Sequence, residues 1–319
     1  FGGVRDFHDR IIRAVGDPAE RFYEDGLRPL RAVRFAARFD FAVDPATFAA
    51  IPGVLDRVRM VSAERVRGEI IKILEQAPKP SYGFELMRGS GLMELFLPEL
   101  LEGYGIEQNK FHAYTVYLHN LYTCDNAPPE NPLIRLAALL HDVAKPRTRR
   151  ENKGNVTFYN HQVVGARMVK KILERLRFSK RDRDFVVHMV YHHMFGYTDE
   201  WTDAAVRRFI RKVGRDFIED LFELRIADTI GSGRPRAFPV YLEKLKRRIE
   251  YELESQDAFS VKDLAVNGED VMKRLEINPG PDVGNALTFL LERVLDEPGL
   301  NEREKLFELL DEYKVLTAG

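Results

Sequence analysis

Cysteine is nearly absent: Cys124 is the single one in 319 residues. An internal disulfide is therefore excluded, and so is a cysteine-rich zinc site. The composition suits a reducing cytosol, and a cytoplasmic location is expected. No apolar run approaches the length that crosses a bilayer, and no signal-peptide pattern opens the chain, so no membrane partner is expected. Excess charge of one sign is missing too. The formal net charge is −1, which excludes a globally basic nucleic-acid binder and leaves any RNA contact to local patches. There is no heptad array, no short-period repeat, and no pair of alternating strands around an Asn-Gly or Asp-Gly turn.

What is present is helical periodicity. The chain is 45% hydrophobic and 31% charged, ordinary for a globular protein of two or three domains. Apolar residues recur at three- and four-residue spacing over Ala63–Leu74, Tyr114–Cys124, Leu133–Asp142, Gln162–Leu176 and Asp182–His193. The same spacing runs through Asp203–Val213, Phe217–Thr229, Pro239–Leu253 and Asn301–Lys314. Turn residues predict loops at Pro78–Pro80, Ala127–Pro132, Arg149–Val156, Gly231–Pro239 and Asn278–Gly284. The expected fold class is all-α, in consecutive helical subdomains.

Near the start, Gly16–Pro18 is turn chemistry. Glu24 and Asp25 then precede Arg28, Arg31, Arg34 and Arg38, whose spacing lines one helical stripe. Leu27, Leu30, Val33, Phe35 and Phe39 can fill another face. On charge alone this reads as an amphipathic helix with a solvated basic face. The whole pattern, GDPxxRFxEDxLRxLRAxRFAA, resembles the neck and nucleotide-selection region of class II tRNA nucleotidyltransferases, the CCA-adding enzyme and bacterial poly(A) polymerase family. The resemblance implies that Asp25 and Arg28 template the incoming nucleotide, with Arg31 and Arg34 helping to hold base and triphosphate. A carboxylate accepts from the exocyclic amino group of cytosine or adenine, while a guanidinium donates to the adjacent ring acceptor. Uracil and guanine would set an acceptor against an acceptor, which discriminates strongly. Gly2, Gly3, Asp6 and Arg13 match the element that precedes this neck, with Phe7 where leucine is usual. In Ser62–Leu74, Glu64, Arg65 and Glu69 resemble the family's neck-bracing helix. In that family the region follows a catalytic palm, so the resemblance implies that the chain opens where the palm ends. Polymerisation is then not expected of the chain alone.

Seven of the eight histidines fall between His112 and His193. Imidazole with carboxylate, without thiolate, suits magnesium or a first-row divalent metal, which could acidify water and polarise a phosphoryl oxygen. His188 and His192, four residues apart, can face one site from one helix. Leu136–Pro146 (LAALLHDVAKP) resembles the HD phosphohydrolase signature, with Ala144 where glycine is commonest. That resemblance implies a metal set of His119, His141, Asp142 and Asp228, holding Mg, Mn, Ni or Co, with His141 and Asp142 catalytic. Lys145, His161, His188, His192 and His193 are further candidates, Lys145 as a phosphate attractor followed by Arg147, Arg149 and Arg150. Some HD domains serve as scaffolds, so turnover stays open. His8 and His112 read as non-ligands. The basic stretch Arg167–Arg183 reads as a solvated face or as a phosphate track for tRNA.

The tail, from Ser260, resembles the C-terminal region of HD-bearing bacterial nucleotidyltransferases. Pro279–Gly280–Pro281 leads into a helix whose start either packs as a tight turn or binds phosphate. Phe289, Phe307 and Tyr313 read as core. The expected divisions are 1–80 neck, 81–233 HD-type domain and 234–319 helical tail. In the intact protein the resemblance implies addition of C and/or A to the tRNA 3′ end, with ATP and CTP as substrates and the tRNA acceptor arm as partner; a homodimer is compatible with it. An independent HD phosphohydrolase acting on 2′,3′-cyclic phosphates, and a non-catalytic RNA-binding or dimerisation module, are the alternatives.

Overall fold

A computed structural model describes residues 2–108, 112–152, 155–234, 240–255 and 259–317. Phe1, Pro239 and Gly319, which bound expected segments, lie outside the described residues. The fold is mostly α-helical, as the periodicity implies, and divides into two units. One comprises Phe1–Phe195 with Glu219–Phe238; the other comprises Gly196–Ile218 with Pro239–Gly319.

In the first unit the arginine-rich segment forms the helix Arg28–Phe39, with Pro29 in its first turn, where a missing N–H costs nothing. Leu30, Val33, Ala36 and Ala37 are buried against the helices Ala63–Gln76 and Pro80–Gly89. Arg34 is not on a solvated stripe: it is buried and donates from Nε to Glu69 Oε2 at 2.6 Å. Phe39, expected to fill the inner face, is 42% exposed and stacks on Phe35 at 6.1 Å.

The helix Pro132–Leu140 is the hub of the same unit. Asn131 caps it by accepting from Leu133 and Ile134 N–H at 3.2 Å, and every residue from Ile134 to Leu140 is buried. Its Arg135 donates to the carbonyls of Leu74, Ala77 and Ala127 at 2.7, 2.9 and 3.1 Å. The first two satisfy carbonyls left over at the end of Ala63–Gln76 and the third one just past Val116–Asn126, so one buried cation fastens the neck helix to the histidine-bearing region. The helix packs on Val116–Asn126 and Lys180–His192, and the latter pairs closely with His161–Arg175.

The expected loop at Arg149–Val156 is partly a hairpin, Arg150–Asn152 antiparallel to Asn155–Thr157, with residues 153–154 outside the described set. A second small sheet pairs Ile11–Ile12 with Ala42–Val43 in parallel. Strands this short give too few positions for a period-two signal, so neither was legible.

In the second unit, Asp203–Val213, Val240–Ser255, Gly268–Leu275, Pro281–Asp296 and Arg303–Thr317 are helical. Asn267 and Asp270 form a capping box at Gly268–Leu275. Buried Arg207 donates to Glu252 at 2.8 Å and to the terminal carbonyls of Leu295 and Asp296 at 2.7 and 3.1 Å. Phe289, Phe307 and Tyr313 pack against this unit's core, as expected.

Candidate metal centre and nucleotide cavity

Six side chains converge from five separate segments. His119 comes from Val116–Asn126, whose start is capped by Thr115. His141 and Asp142 follow directly on Pro132–Leu140. His161 opens His161–Arg175, and His193 closes Lys180–His192. Asp228 lies on Ile218–Gly231. That last helix reaches the others only because residue 231 is glycine: a Cβ there would sit 2.4 Å from Thr123 Oγ1 and 2.7 Å from Thr123 N. The close approach lets Gly231 O meet His119 Nδ1 at 3.2 Å.

Each of the four rings turns Nδ1 to a backbone carbonyl. His119 faces Gly231 O at 3.2 Å, and His141, His161 and His193 face Ala138, Phe158 and Val190 O at 2.7 Å. A carbonyl only accepts, so Nδ1 carries the hydrogen and every neutral ring presents an Nε2 lone pair inward. Those lone pairs face one another: His119 and His141 Nε2 are 3.1 Å apart, and His161 and His193 Nε2 are 3.2 Å apart.

Asp142 joins the two pairs. Its Oδ2 lies 3.4 and 3.2 Å from Nε2 of His119 and His141. Its Oδ1 lies 3.1 and 3.6 Å from Nε2 of His161 and His193. Oδ1 is buried and, among the described residues, accepts no hydrogen bond. Asp228 Oδ1 completes the first group at 3.1 Å from His119 and 3.6 Å from His141. Converging lone pairs and an orphaned carboxylate oxygen are a set that only a cation or protons satisfy. Imidazole and carboxylate held through carbonyl-bound rings fit a divalent ion. The groups able to hold one are His119–His141–Asp228, Asp142–His161–His193, and His112–His119–Asp142.

The electrostatics agree. Burial opposes charge on His141, but Asp142 and Asp228 outweigh it and raise the ring to about 10. Burial likewise opposes ionisation of the carboxylates, yet His141 and Lys145 hold Asp142 well below its usual range, and His119 and His141 do the same for Asp228. Burial prevails at His193, pushed down to about 4. His112 falls to about 3, through burial and then the nearby charge of Lys145.

The cluster floors a cavity of about 570 Å³. Phe158, Tyr159 and Met194 supply apolar wall, and Lys145 and Arg225 supply positive charge. Lys145 Nζ is 2.5 Å from Asp142 Oδ2 and donates to Gln108 Oε1 at 2.6 Å. Arg147 and Arg149 point elsewhere, to Glu102 and Glu151.

Two candidates fall outside. His188 and His192 lie against each other, ring centroids 4.4 Å apart; among the described residues neither belongs to a metal-holding group, and neither lines the cavity. Their four-residue spacing does put them on one face, but His193 occupies the face that meets His161. Conversely, His112 was set aside in sequence and lies at the cavity, its ring 4.7 Å from that of His119. It precedes the helix Val116–Asn126, so no periodic spacing tied it to His119. Arg225 carried no motif signal; its place one turn before Asp228 was the only clue.

In the neck, Arg28 and Arg31 line a cavity of about 350 Å³ with Arg13, Arg21 and Phe35. Arg28 Nη1 donates to Glu24 at 2.6 Å and to Arg21 O at 2.9 Å. Asp25 does not line this cavity; its carboxylate accepts from Leu27 N–H at 3.0 Å and from Arg65 Nη2 at 3.0 Å. Those contacts, the backbone one foremost, hold its pKa below the ordinary value against some burial. Arg34 is committed to Glu69. Arg13 bridges Asp6, at 3.1 Å, and Asp44.

An all-α chain with a buried His/Asp cluster following an arginine-rich neck defines the class. Comparison with known proteins gives the family. The HD domain family matches residues 112–231, and the family described as a probable RNA and SrmB-binding site of polymerase A matches residues 40–103. The A-adding tRNA nucleotidyltransferase of Deinococcus radiodurans is 33% identical over 325 residues, covering 96% of this chain and 72% of the relative. The CC-adding tRNA nucleotidyltransferase of Thermus thermophilus is 33% identical, covering 97% of this chain and 71% of the relative. The crystal structure of the Bacillus stearothermophilus CCA-adding enzyme in complex with CTP shares the fold, with a TM-score of 0.70, 24% identity and coverage of 100% of this chain and 69% of that one. The chain belongs to the tRNA nucleotidyltransferase family and carries an HD domain.

Proposed function

We propose that this chain serves addition of C and/or A to the 3′ end of tRNA, with residues 1–80 as nucleotide-selecting neck, 81–233 as HD domain and 234–319 as a tRNA-contacting tail. The observation that carries this reading is the cavity holding Arg28 and Arg31, in a chain that aligns over 96% of its length with a tRNA nucleotidyltransferase. Arg28 and Arg31 supply donors to a nucleotide, and Asp25, which Arg65 holds outside this cavity, would have to leave Arg65 to serve as the acceptor that tells an amino group from a carbonyl. Exposed Arg167, Lys170, Lys171, Arg177, Lys180 and Arg181, which form no ion pair among the described residues, support contact with RNA phosphates. The test is equilibrium binding of ATP, CTP, GTP and UTP. Preference for ATP and CTP that Arg28→Ala abolishes supports the reading; equal binding of all four overturns it.

A second reading concerns the HD domain and rests on the inward Nε2 lone pairs and the orphaned Asp142 Oδ1. It is a metal phosphohydrolase site for a phosphate ester such as a 2′,3′-cyclic nucleotide. His119, His141 and Asp228 would hold one ion of Mg, Mn, Ni or Co, and His161 and His193 a second, with Asp142 shared between them. When bound, such an ion acidifies water and polarises a phosphoryl oxygen. Lys145 attracts the phosphate, and Phe158 and Tyr159 line the cavity beside it. Metal-dependent hydrolysis of a 2′,3′-cyclic nucleotide, lost in Asp142→Ala, tests it; absence of turnover with every one of these metals overturns it.

A further inference from the structure

Arg225 is assigned by no motif, yet it lines the same cavity as the histidine cluster. It sits three residues before Asp228 on one helix and holds that carboxylate by its outer oxygen: Nη1 donates to Asp228 Oδ2 at 2.8 Å, while Oδ1 faces His119 at 3.1 Å. Its guanidinium also lies 6.0 Å from the ring centre of Phe195. Lys145 stands in the same relation to Asp142, three residues away in sequence and 2.5 Å from Oδ2. Without an ion, Lys145 and Arg225 each balance one carboxylate at the cavity floor, beside the raised His141. Addition of a divalent ion upsets that balance. An ion held by His119, His141 and Asp228 would compete with Lys145 for Asp142 Oδ2, which lies 3.4 and 3.2 Å from the two Nε2 atoms. Asp228, facing His119 through Oδ1, would share its single charge with that ion, and its hold on Arg225 through Oδ2 would weaken. The lining then carries excess positive charge in a partly enclosed, low-dielectric space.

We propose that Arg225 and Lys145 form an anion clamp which divalent-ion binding frees from Asp228 and Asp142, so that the cavity takes a phosphoryl anion only after the metal. The inference rests on the metal-centre reading above. It explains why an arginine occupies position 225: a guanidinium holds a carboxylate oxygen and is equally suited to phosphoryl oxygens. Arg225 is thus a ligand-binding residue whose resting partner is a metal-facing carboxylate.

The experiment uses the full chain and binding alone. Bound Mn²⁺ is counted by its electron paramagnetic resonance signal. Inorganic phosphate is followed by broadening of its phosphorus resonance, with free Mn²⁺ at matched concentration as reference. Phosphate is expected to bind the Mn²⁺-loaded chain and not the metal-free chain. Arg225→Gln is expected to weaken phosphate on the order of 10- to 100-fold, the loss of charge-assisted hydrogen bonds, while Mn²⁺ affinity holds or tightens. Arg225→Lys should fall between, and retained Mn²⁺ binding certifies that both variants fold. If Arg225→Gln instead loses Mn²⁺, with phosphate falling only in proportion, Arg225 merely orients Asp228 and the proposal fails. Equal phosphate binding with and without Mn²⁺ also overturns it. A wild-type chain that binds no Mn²⁺ sinks the metal-centre reading itself, a separate result.

Discussion

The histidine cluster and the neck cavity both gather charged side chains, but they handle them in opposite ways. In the cluster, His119, His141 and Asp142 are almost wholly buried, and the Nε2 atoms and carboxylate oxygens turn toward one another. In the neck, Arg28, Arg31 and Arg21 stand around a cavity at the surface, and Arg28 already has Glu24 as partner. Buried like groups are costly without a cation between them, whereas exposed arginines are screened by water and stay available. The cluster thus suits an ion that would complete it, and the proposed nucleotide site in the neck suits a ligand that comes and goes. The buried Arg34–Glu69 pair shows the third outcome in the same helix: a charge committed to structure.

The largest effect expected from breaking this contrast is at Asp142. Asp142→Ala removes the carboxylate that faces both imidazole pairs and should abolish stabilisation by Mn²⁺ or Ni²⁺. For the wild type at a hundredfold excess over Kd, that stabilisation should be about 2.7 kcal/mol, read by urea unfolding. Next comes Arg34→Ala, which leaves Glu69 buried without its principal partner and should cost about 3–5 kcal/mol. The double change Arg34→Met with Glu69→Leu should recover most of that loss, because it removes both charges together.

A pH series on the metal-free chain sharpens the comparison further. The raised His141 contributes stability that is fully present below about 6.5 and lost as pH rises toward about 10. The depressed Asp142 and Asp228 contribute stability present above the ordinary carboxylate range and lost on acidification. His193, lowered to about 4, resists protonation and so penalises the fold as pH falls from about 6.5 to about 4. The thermal midpoint should peak near pH 6.5 and decline above it, and His141→Ala should flatten the alkaline decline. Smaller still is the expected effect of Arg28→Ala: roughly tenfold weaker nucleotide binding with stability changed by under about 0.5 kcal/mol, measured by calorimetry and urea unfolding. His188→Ala and His192→Ala should each leave Mn²⁺ affinity within about twofold, since among the described residues neither belongs to a metal-holding group.

Much of the helical frame was legible along the chain. Asp203–Val213 is helical over the span that its apolar spacing marks, and the other segments differ by a few residues at their ends, where caps such as Thr115 and Asn131 decide. His119, His141, Asp142 and Asp228 were marked by resemblance, and the structure places an oxygen of each carboxylate within 3.6 Å of both Nε2 atoms. His112 was not legible, because it lies in irregular chain before its helix, and Arg225 was not, because an arginine one turn from an aspartate is usually a surface pair. The arginine stripe was misleading for a related reason: equal spacing placed Arg34 beside Arg31, but its burial depends on Glu69, thirty-five residues on.

The sequence by itself determined the helices to within a few residues at their ends, the absence of an internal disulfide and the kinds of ligand atom at hand. These follow from neighbours within a turn or two, where spacing and side-chain type act directly. Only the tertiary structure decided that four imidazoles turn Nε2 inward, that Asp142 faces both pairs, and that His188 and His192 stay outside. Those choices rest on contacts such as His119 with Gly231, 112 residues apart, which close only when whole helices pack. Packing is set by the fit of buried surfaces across the unit, and no local run of residues encodes that fit.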